Sequence, residues 1–210
     1  MRNTALALSA VLFLCFSTSS ASAKDVTTTG QVMLAAGGGV GNFTAGQSQV
    51  DIYLHGTGFF DMGSGTGMLF GYFGPRFKIE NTTVHLLTGL FLTPDGGTSV
   101  LGSVWFEQSK VFTDQLGWFL EFDTYFPMPT SGSGEHQELQ YYLYSTLMHS
   151  ATENFKWGLV TEHFFSAEEW GEAAVGPGFS VNDLMFWVGY DFTPADKKQD
   201  MIIFRVCYNL

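Results

Sequence analysis

Apolar residues alternate with polar or small ones at period two along most of the chain, and helical spacing is hard to find. The pattern predicts strands near 28–37, 49–60, 66–80, 83–93, 98–108, 116–126, 138–149, 154–165, 183–193 and 201–210. Turn residues separate them at Gly37-Gly38-Gly39, Met62-Gly63-Ser64-Gly65, Thr93-Pro94-Asp95-Gly96-Gly97, Ser131-Gly132-Ser133-Gly134, Thr152-Glu153-Asn154 and Thr193-Pro194-Ala195-Asp196. One strand with its connection takes about 19 residues, against the 8–12 of a small sandwich. Strands of that length suit the tilted wall of a barrel, where about 9–11 residues cross a bilayer. No linker or shift in composition divides the chain, so a single domain is expected.

The two faces of these strands differ in kind. In 116–126, Leu116, Trp118, Leu120, Phe122, Thr124 and Phe126 oppose Gly117, Phe119, Glu121, Asp123 and Tyr125. In 49–60, Val50, Ile52, Leu54 and Phe60 oppose Asp51, Tyr53, His55, Thr57 and Phe59. The last strand sets Ile202, Phe204, Val206, Tyr208 and Leu210 against Ile203, Arg205, Cys207 and Asn209. A water-facing sheet surface would be crowded with Lys, Glu, Asp and Thr. Here the second face is Gly, Tyr, Trp, Phe and Met with single charges, which suits the interior of a narrow barrel. The continuously apolar first face then meets hydrocarbon, the inverse of a soluble sheet. Trp118, Phe126, Trp157, Phe165, Tyr190, Phe192 and Tyr208 fall near strand ends, as an aromatic girdle requires.

Composition sharpens this picture. Charged residues make up 14% of the 210, against roughly 25% in an ordinary soluble domain. Aromatics reach 16%, which excludes a disordered chain. Nine Lys and Arg against 20 Asp and Glu give a net charge of −11, which excludes a nucleic-acid binder that must neutralise a row of phosphates. Residues 1–23 read as an export signal: Arg2 precedes the apolar run Ala5 to Phe16, and Ala21-Ser22-Ala23 offers a cleavage site. Cys15 lies inside the apolar run, so a lipid anchor is not expected. Beyond it only Cys207 remains, which rules out an internal disulfide or a thiolate metal site. No later segment has the run of about 20 apolar residues that a membrane helix needs.

The signal, the dyad repeat across 28–210 and the ending MIIFRVCYNL together resemble bacterial outer-membrane β-barrel proteins as a class. Small barrels of the OmpX or OmpW type are the nearest general likeness. The resemblance implies an antiparallel up-and-down transmembrane β-barrel, here of about ten strands with eight as the alternative, spanning 24–210 in the outer membrane of a Gram-negative cell. It implies outer-membrane lipid as surroundings and barrel-assembly machinery as a partner that reads the C-terminal strand. Leu210 departs from the terminal Phe commoner in the class. One feature sits badly with ten strands. With a periplasmic N-terminus the outer loops would be 38–48, 81–82, 109–115, 150–153 and 194–200, while the inner turns 127–137 and 166–182 are longer than most of them. Bacterial barrels show the reverse asymmetry, so either the strand count is off or part of 166–182 is structured.

The polar residues assigned to the interior are Asp51, His55, Arg76, Lys78, His85, Glu107, Glu121, Asp123, Glu162, Asp191 and Arg205. Buried charges need partners, so this set reads as a paired network that fills the lumen. The sharper alternative is a pore lining whose carboxylate excess would favour cations. A barrel of 8–10 strands is mostly filled by its own side chains, which favours the network. Enzymatic chemistry is not expected. His149-Ser150 are adjacent on a strand and so point to opposite faces, and Glu162-His163 fail in the same way; the first pair reads as a cap before a turn at 150–153. The His-x-Ser spacing of the lipid A deacylase family is absent. Asp51 and His55, with His85 or Glu121, are too scattered to read as a metal site, and no cofactor is implied. Glycine-rich 37–41 lacks the lysine of a phosphate loop. Asn42-Phe43-Thr44 and Asn81-Thr82-Thr83 match the glycosylation pattern, frequent by chance, and acidic 168–172 reads as solvated. The expected role is structural or passive: membrane integrity, surface-loop interaction or slow permeation of small solutes. The competing readings are a lipid-modifying outer-membrane enzyme and a soluble exported barrel that binds a hydrophobic ligand.

Overall fold

A computed structural model describes residues 27–45, 48–62, 65–92, 98–127, 139–166, 170–191 and 201–209. The expected export signal, Phe192, the expected turns at 93–97, 131–134 and 193–196, and Leu210 lie outside the described residues. Every described element is a strand or a turn. The strands are β1 (Thr27–Ala45), β2 (Ser48–Asp61), β3 (Thr66–Ile79), β4 (Thr82–Leu92), β5 (Thr98–Thr113), β6 (Leu116–Pro127), β7 (Gln140–Thr152), β8 (Phe155–Ser166), β9 (Trp170–Val181), β10 (Leu184–Asp191) and β11 (Met201–Asn209). They close into one barrel in which each strand pairs antiparallel with its neighbour in sequence, and β1 meets β11 in parallel.

The expected count of ten, with eight as the alternative, is therefore corrected to eleven, and the all-antiparallel wall becomes a mixed one. The additional strand is β9, inside the segment 166–182 whose length as a turn was anomalous. Its sequence WGEAAVGPGFSV does not alternate visibly, because Gly176 and Gly178 stand at inward positions beside Pro177. Proline lacks the N–H for one ladder bond, and the β9–β10 ladder skips Gly176 and Pro177. An odd number of strands running up and down must close in parallel, since the first and last then point the same way.

With eleven strands the connections sort by length. Two residues join β1 to β2, β3 to β4, β5 to β6, β7 to β8 and β9 to β10, all at one end of the barrel. The opposite end carries connections of three to twelve residues. At the short-turn end neighbouring hairpins are stitched together by backbone bonds: Ser109 N–H donates to Asn81 C=O (2.9 Å), Ser150 to Gln115 (2.7 Å) and Asn182 to Asn154 (3.0 Å).

Strand ends also moved. Residues 109–113, expected in a loop, extend β5, and His149 and Ser150 lie within β7 rather than capping it. The triplet Gly37-Gly38-Gly39, expected as a turn, sits inside β1 opposite His55, Leu54 and Tyr53. A side chain at Gly37 would collide with the Tyr53 hydroxyl, and one at Gly39 with the Asp51 carboxylate and the Arg76 guanidinium. These glycines mark where interior side chains from β2 and β3 need the space. The bulge after Val40 contains Gly41 at φ 67°, a conformation glycine tolerates without strain.

The inside-out arrangement is as the alternation implied. Leu54 (50% exposed), Leu69, Phe73, Leu90 and Leu159 face outward, while Asp51 (2%), Asp123 (1%) and Arg205 (5%) are buried inside. Tyr72, Leu87 and Trp105 form one interior cluster, and Val160, Ala174, Trp187 and Ile203 another.

We predict that Gly39→Val destabilises the barrel by about 1–3 kcal/mol, the usual cost of overpacking a filled interior. Gly38→Val should leave stability unchanged or slightly raised, because nothing lies within 4 Å of a side chain at Gly38. Urea midpoints followed by tryptophan fluorescence would decide; equal midpoints for the two variants would contradict the assigned faces.

Candidate functional site

Residues directly opposite one another in a ladder share a face, so the register alone assembles the interior. Asp51 pairs with Arg76, Arg76 with His85, His85 with Trp105, Trp105 with Asp123 and Asp123 with Tyr142. One level along, Lys78, Thr83, Glu107, Glu121, Tyr144 and Glu162 follow one another across the wall from β3 to β8. Asp191 and Arg205 continue the inward set on β10 and β11. All eleven polar residues assigned to the interior from the sequence have inward parity.

Their contacts gather around three centres, with Glu107 shared between the first and the third. Around β2 and β3, Arg76 donates to Asp51 through Nε (2.8 Å to Oδ1) and Nη2 (2.5 Å to Oδ2), and its guanidinium lies 4.4 Å from the centre of the Tyr53 ring. This bidentate geometry is the strongest available to an ion pair. His55 is held between Tyr53 Oη (3.2 Å from Nδ1) and Thr57 Oγ1 (2.5 Å from Nε2). His85 Nε2 stands 3.2 Å from Glu107 Oε1.

A second group closes the seam. Arg205 donates through Nε (2.8 Å) and Nη2 (2.5 Å) to Gln31 Oε1 on β1, and through Nη1 to both carboxylate oxygens of Glu162 on β8. Its guanidinium also lies 5.4 Å from the Trp187 ring and 5.6 Å from that of Phe59. Gln31 Nε2 donates to Asp61 (3.2 Å), and Thr29 Oγ1 donates to the same carboxylate (2.9 Å). Asp191 accepts the Ala173 N–H at 3.0 Å. Sequence reasoning missed Gln31, Thr29 and Asp61. The first two lie on a segment whose faces glycine obscured, and Asp61 lies one residue beyond the expected strand end.

The third group is acidic. Glu107 and Glu121 are direct cross-strand partners, and Asp123 follows on the same face. Tyr125 Oη donates to Asp123 Oδ2 (3.0 Å). Tyr72, Trp105 and Tyr125 wall this group, with the Tyr72 and Trp105 rings 5.1 Å apart and edge-on.

Groups that could do chemistry are placed otherwise. His149 pairs with Trp157 and Ser150 with Lys156, on opposite faces, and His149 meets the Trp157 ring edge-on at 5.4 Å. Asp51 is committed to Arg76, and among the described residues no three His, Cys, Asp or Glu converge as a metal site would require. No family model, no curated protein and no solved structure matches the chain.

The Arg205–Glu162 pair gives a direct test of the interior network. Glu162→Gln should destabilise the barrel by about 3–5 kcal/mol, because it strands a buried guanidinium. Adding Arg205→Met should restore most of the lost stability. Urea midpoints of the two variants suffice; a double variant no more stable than the single one would contradict the coupling.

Proposed function

We propose that the mature chain is an integral barrel of the bacterial outer membrane, with a filled lumen and a structural or passive role. The observation that carries this reading is the distribution of charge across the wall. Among the described side chains of the strands, the outward positions hold a single charged group, Lys110, while the inward ones hold Asp51, Asp61, Arg76, Lys78, Glu107, Glu121, Asp123, Lys156, Glu162, Asp191 and Arg205. A water-soluble barrel would carry its charges on the outside. An apolar outer band with polar contents is what a bilayer demands of a closed sheet.

The aromatic positions support the same reading. Trp118 and Phe126 lie eight residues apart on β6, and Trp157 and Phe165 eight apart on β8. That is about 27 Å along a strand, or about 20 Å along the axis at a tilt of about 40°, close to the ~25 Å apolar band of such barrels. The export signal supplies the route, and the strand ending at Asn209 would be the segment read by assembly machinery. The short turns at one end and longer connections at the other match the asymmetry of the class.

Passive permeation is the second reading, favoured by the acidic group of Glu107, Glu121 and Asp123. The aromatic and aliphatic clusters that fill the interior weigh against a wide aqueous path, which usually takes about 16 strands.

Two measurements test the proposal. The protein should fractionate with outer membranes and migrate anomalously in detergent gels until heated; recovery in the soluble periplasm would sink it. In planar bilayers the purified barrel should show no steady conductance. A cation-selective current lost in Glu121→Gln with Asp123→Asn would instead establish the pore.

A further inference from the structure

Lys110 is the exception on the outward face, and its surroundings are not those of a stray surface lysine. It lies near the short-turn end of β5, directly opposite Trp118, and the ladder continues the row through Leu147 and Leu159. One level toward the middle of the wall the outward residues of β7 and β8 are short and polar, Ser145 and Thr161. Together with Phe112 these residues line a hollow of about 450 Å³ on the outer surface. Its floor is low because Ser145 and Thr161 stand where neighbouring strands carry Leu or Val. Trp118 is pinned as one wall by donating its indole N–H to Ser145 Oγ (2.9 Å). The Lys110 ammonium sits 5.3 Å from the centre of the Phe112 ring, and no carboxylate forms an ion pair with it among the described residues.

From this geometry we infer a binding site for one anionic phospholipid on the outer wall. The inference rests on the membrane reading above. The headgroup phosphate would meet the Lys110 ammonium at the level of the Trp118 indole. One acyl chain would lie down the furrow over Ser145 and Thr161, between Leu147 and Leu159. Charge complementarity selects the occupant: an unpaired cation at the interface next to an apolar furrow favours a lipid of net negative charge over a zwitterionic one. A lysine that merely snorkels to the interface would need no furrow beneath it.

The test uses the refolded mature chain in detergent micelles, titrated with phosphatidylglycerol or with phosphatidylcholine of the same acyl chains, and native mass spectrometry to count the lipids retained. One phosphatidylglycerol should be held about fivefold more tightly than phosphatidylcholine, the factor expected of one interfacial cation. Lys110→Gln should abolish that preference, Leu159→Trp should weaken both lipids by filling the furrow, and Lys156→Gln, a cation of inward parity on β8, should leave the preference intact. Equal retention of the two lipids by the wild-type chain would overturn the inference, as would a loss in Lys156→Gln equal to that in Lys110→Gln. Co-sedimentation of the wild-type chain with phosphatidylcholine vesicles separates the two failures. A chain that sediments but shows no headgroup preference loses only this site, whereas one that stays in solution loses the membrane reading and the site with it.

Discussion

The structure depends on how its first and last strands meet. A sheet that curls into a wall leaves backbone donors and acceptors bare along two edges, and in an apolar medium each bare group costs several kcal/mol. Here the edges are satisfied by a parallel ladder from Thr27–Met201 to Ala35–Asn209. Parallel pairing is somewhat weaker per residue than antiparallel, and the paired part of β1, Thr27–Ala35, carries mostly short side chains, so its alternation does little to fix register. Arg205 supplies what the ladder lacks. Its guanidinium ties Gln31 of β1 to Glu162 on β8, across the span of β9 and β10. A slip of one residue would turn Gln31 away from the lumen and take from the buried guanidinium the acceptor of its Nε and Nη2 hydrogen bonds. The register of the seam is thus specified by one buried charge and its need for partners.

The interior follows from the same economy of space. A barrel this narrow must be filled, yet the fillers are large and several are charged. Glycines at inward positions resolve the conflict: Gly37 and Gly39 make way for Tyr53, Asp51 and Arg76, and Gly89 for the Tyr72 ring. The arginines sit in different groups, Arg76 with Asp51 and Arg205 with Glu162 and Gln31, while Glu107 stands beside His85 and Glu121 and Asp123 face aromatic walls. Charge is therefore balanced unevenly along the wall, and the acidic side lies over β5 and β6.

What could be read from the chain alone was whatever alternation encodes. The two faces of 116–126, 183–193 and 201–210 were legible, and with them the inward placement of Glu121, Asp123, Asp191 and Arg205, because each such strand carries side chains that differ sharply from one face to the other. Where inward residues are glycine the signal vanishes. β9 was invisible as a strand, and the middle of β1 passed for a turn, since glycine marks both a bend and a place where another side chain needs room. Partnerships were less legible still. That Arg205 reaches Gln31, 174 residues away, depends on barrel closure, which no local pattern records. Lys110 carries no signal in the sequence, because the alternation that marks β5 fades after 108 and a lysine in a loop asks for no explanation.

The odd strand count has a simple anatomy. β2 to β11 by themselves begin and end at the short-turn end, with Ser48 and Asn209 at that rim, as in an even-stranded barrel. β1 is the strand added to that even set; it runs from the long-connection end to the short-turn end, as β11 does, so the two meet in parallel. From Ala36 onward β1 extends past Asn209 with β2 as its single sheet partner among the described residues. The part of β1 that closes the wall, Thr27–Ala35, carries Thr29 and Gln31 into the Arg205 network, while the part that outruns β11 carries four of the five glycines of β1 and the bulge. The side chains that specify pairing are thus concentrated where β1 has two neighbours, and conformational freedom where it has one. On that division of labour, closure of the barrel is decided in the first nine residues of β1, and the remainder follows the course of β2.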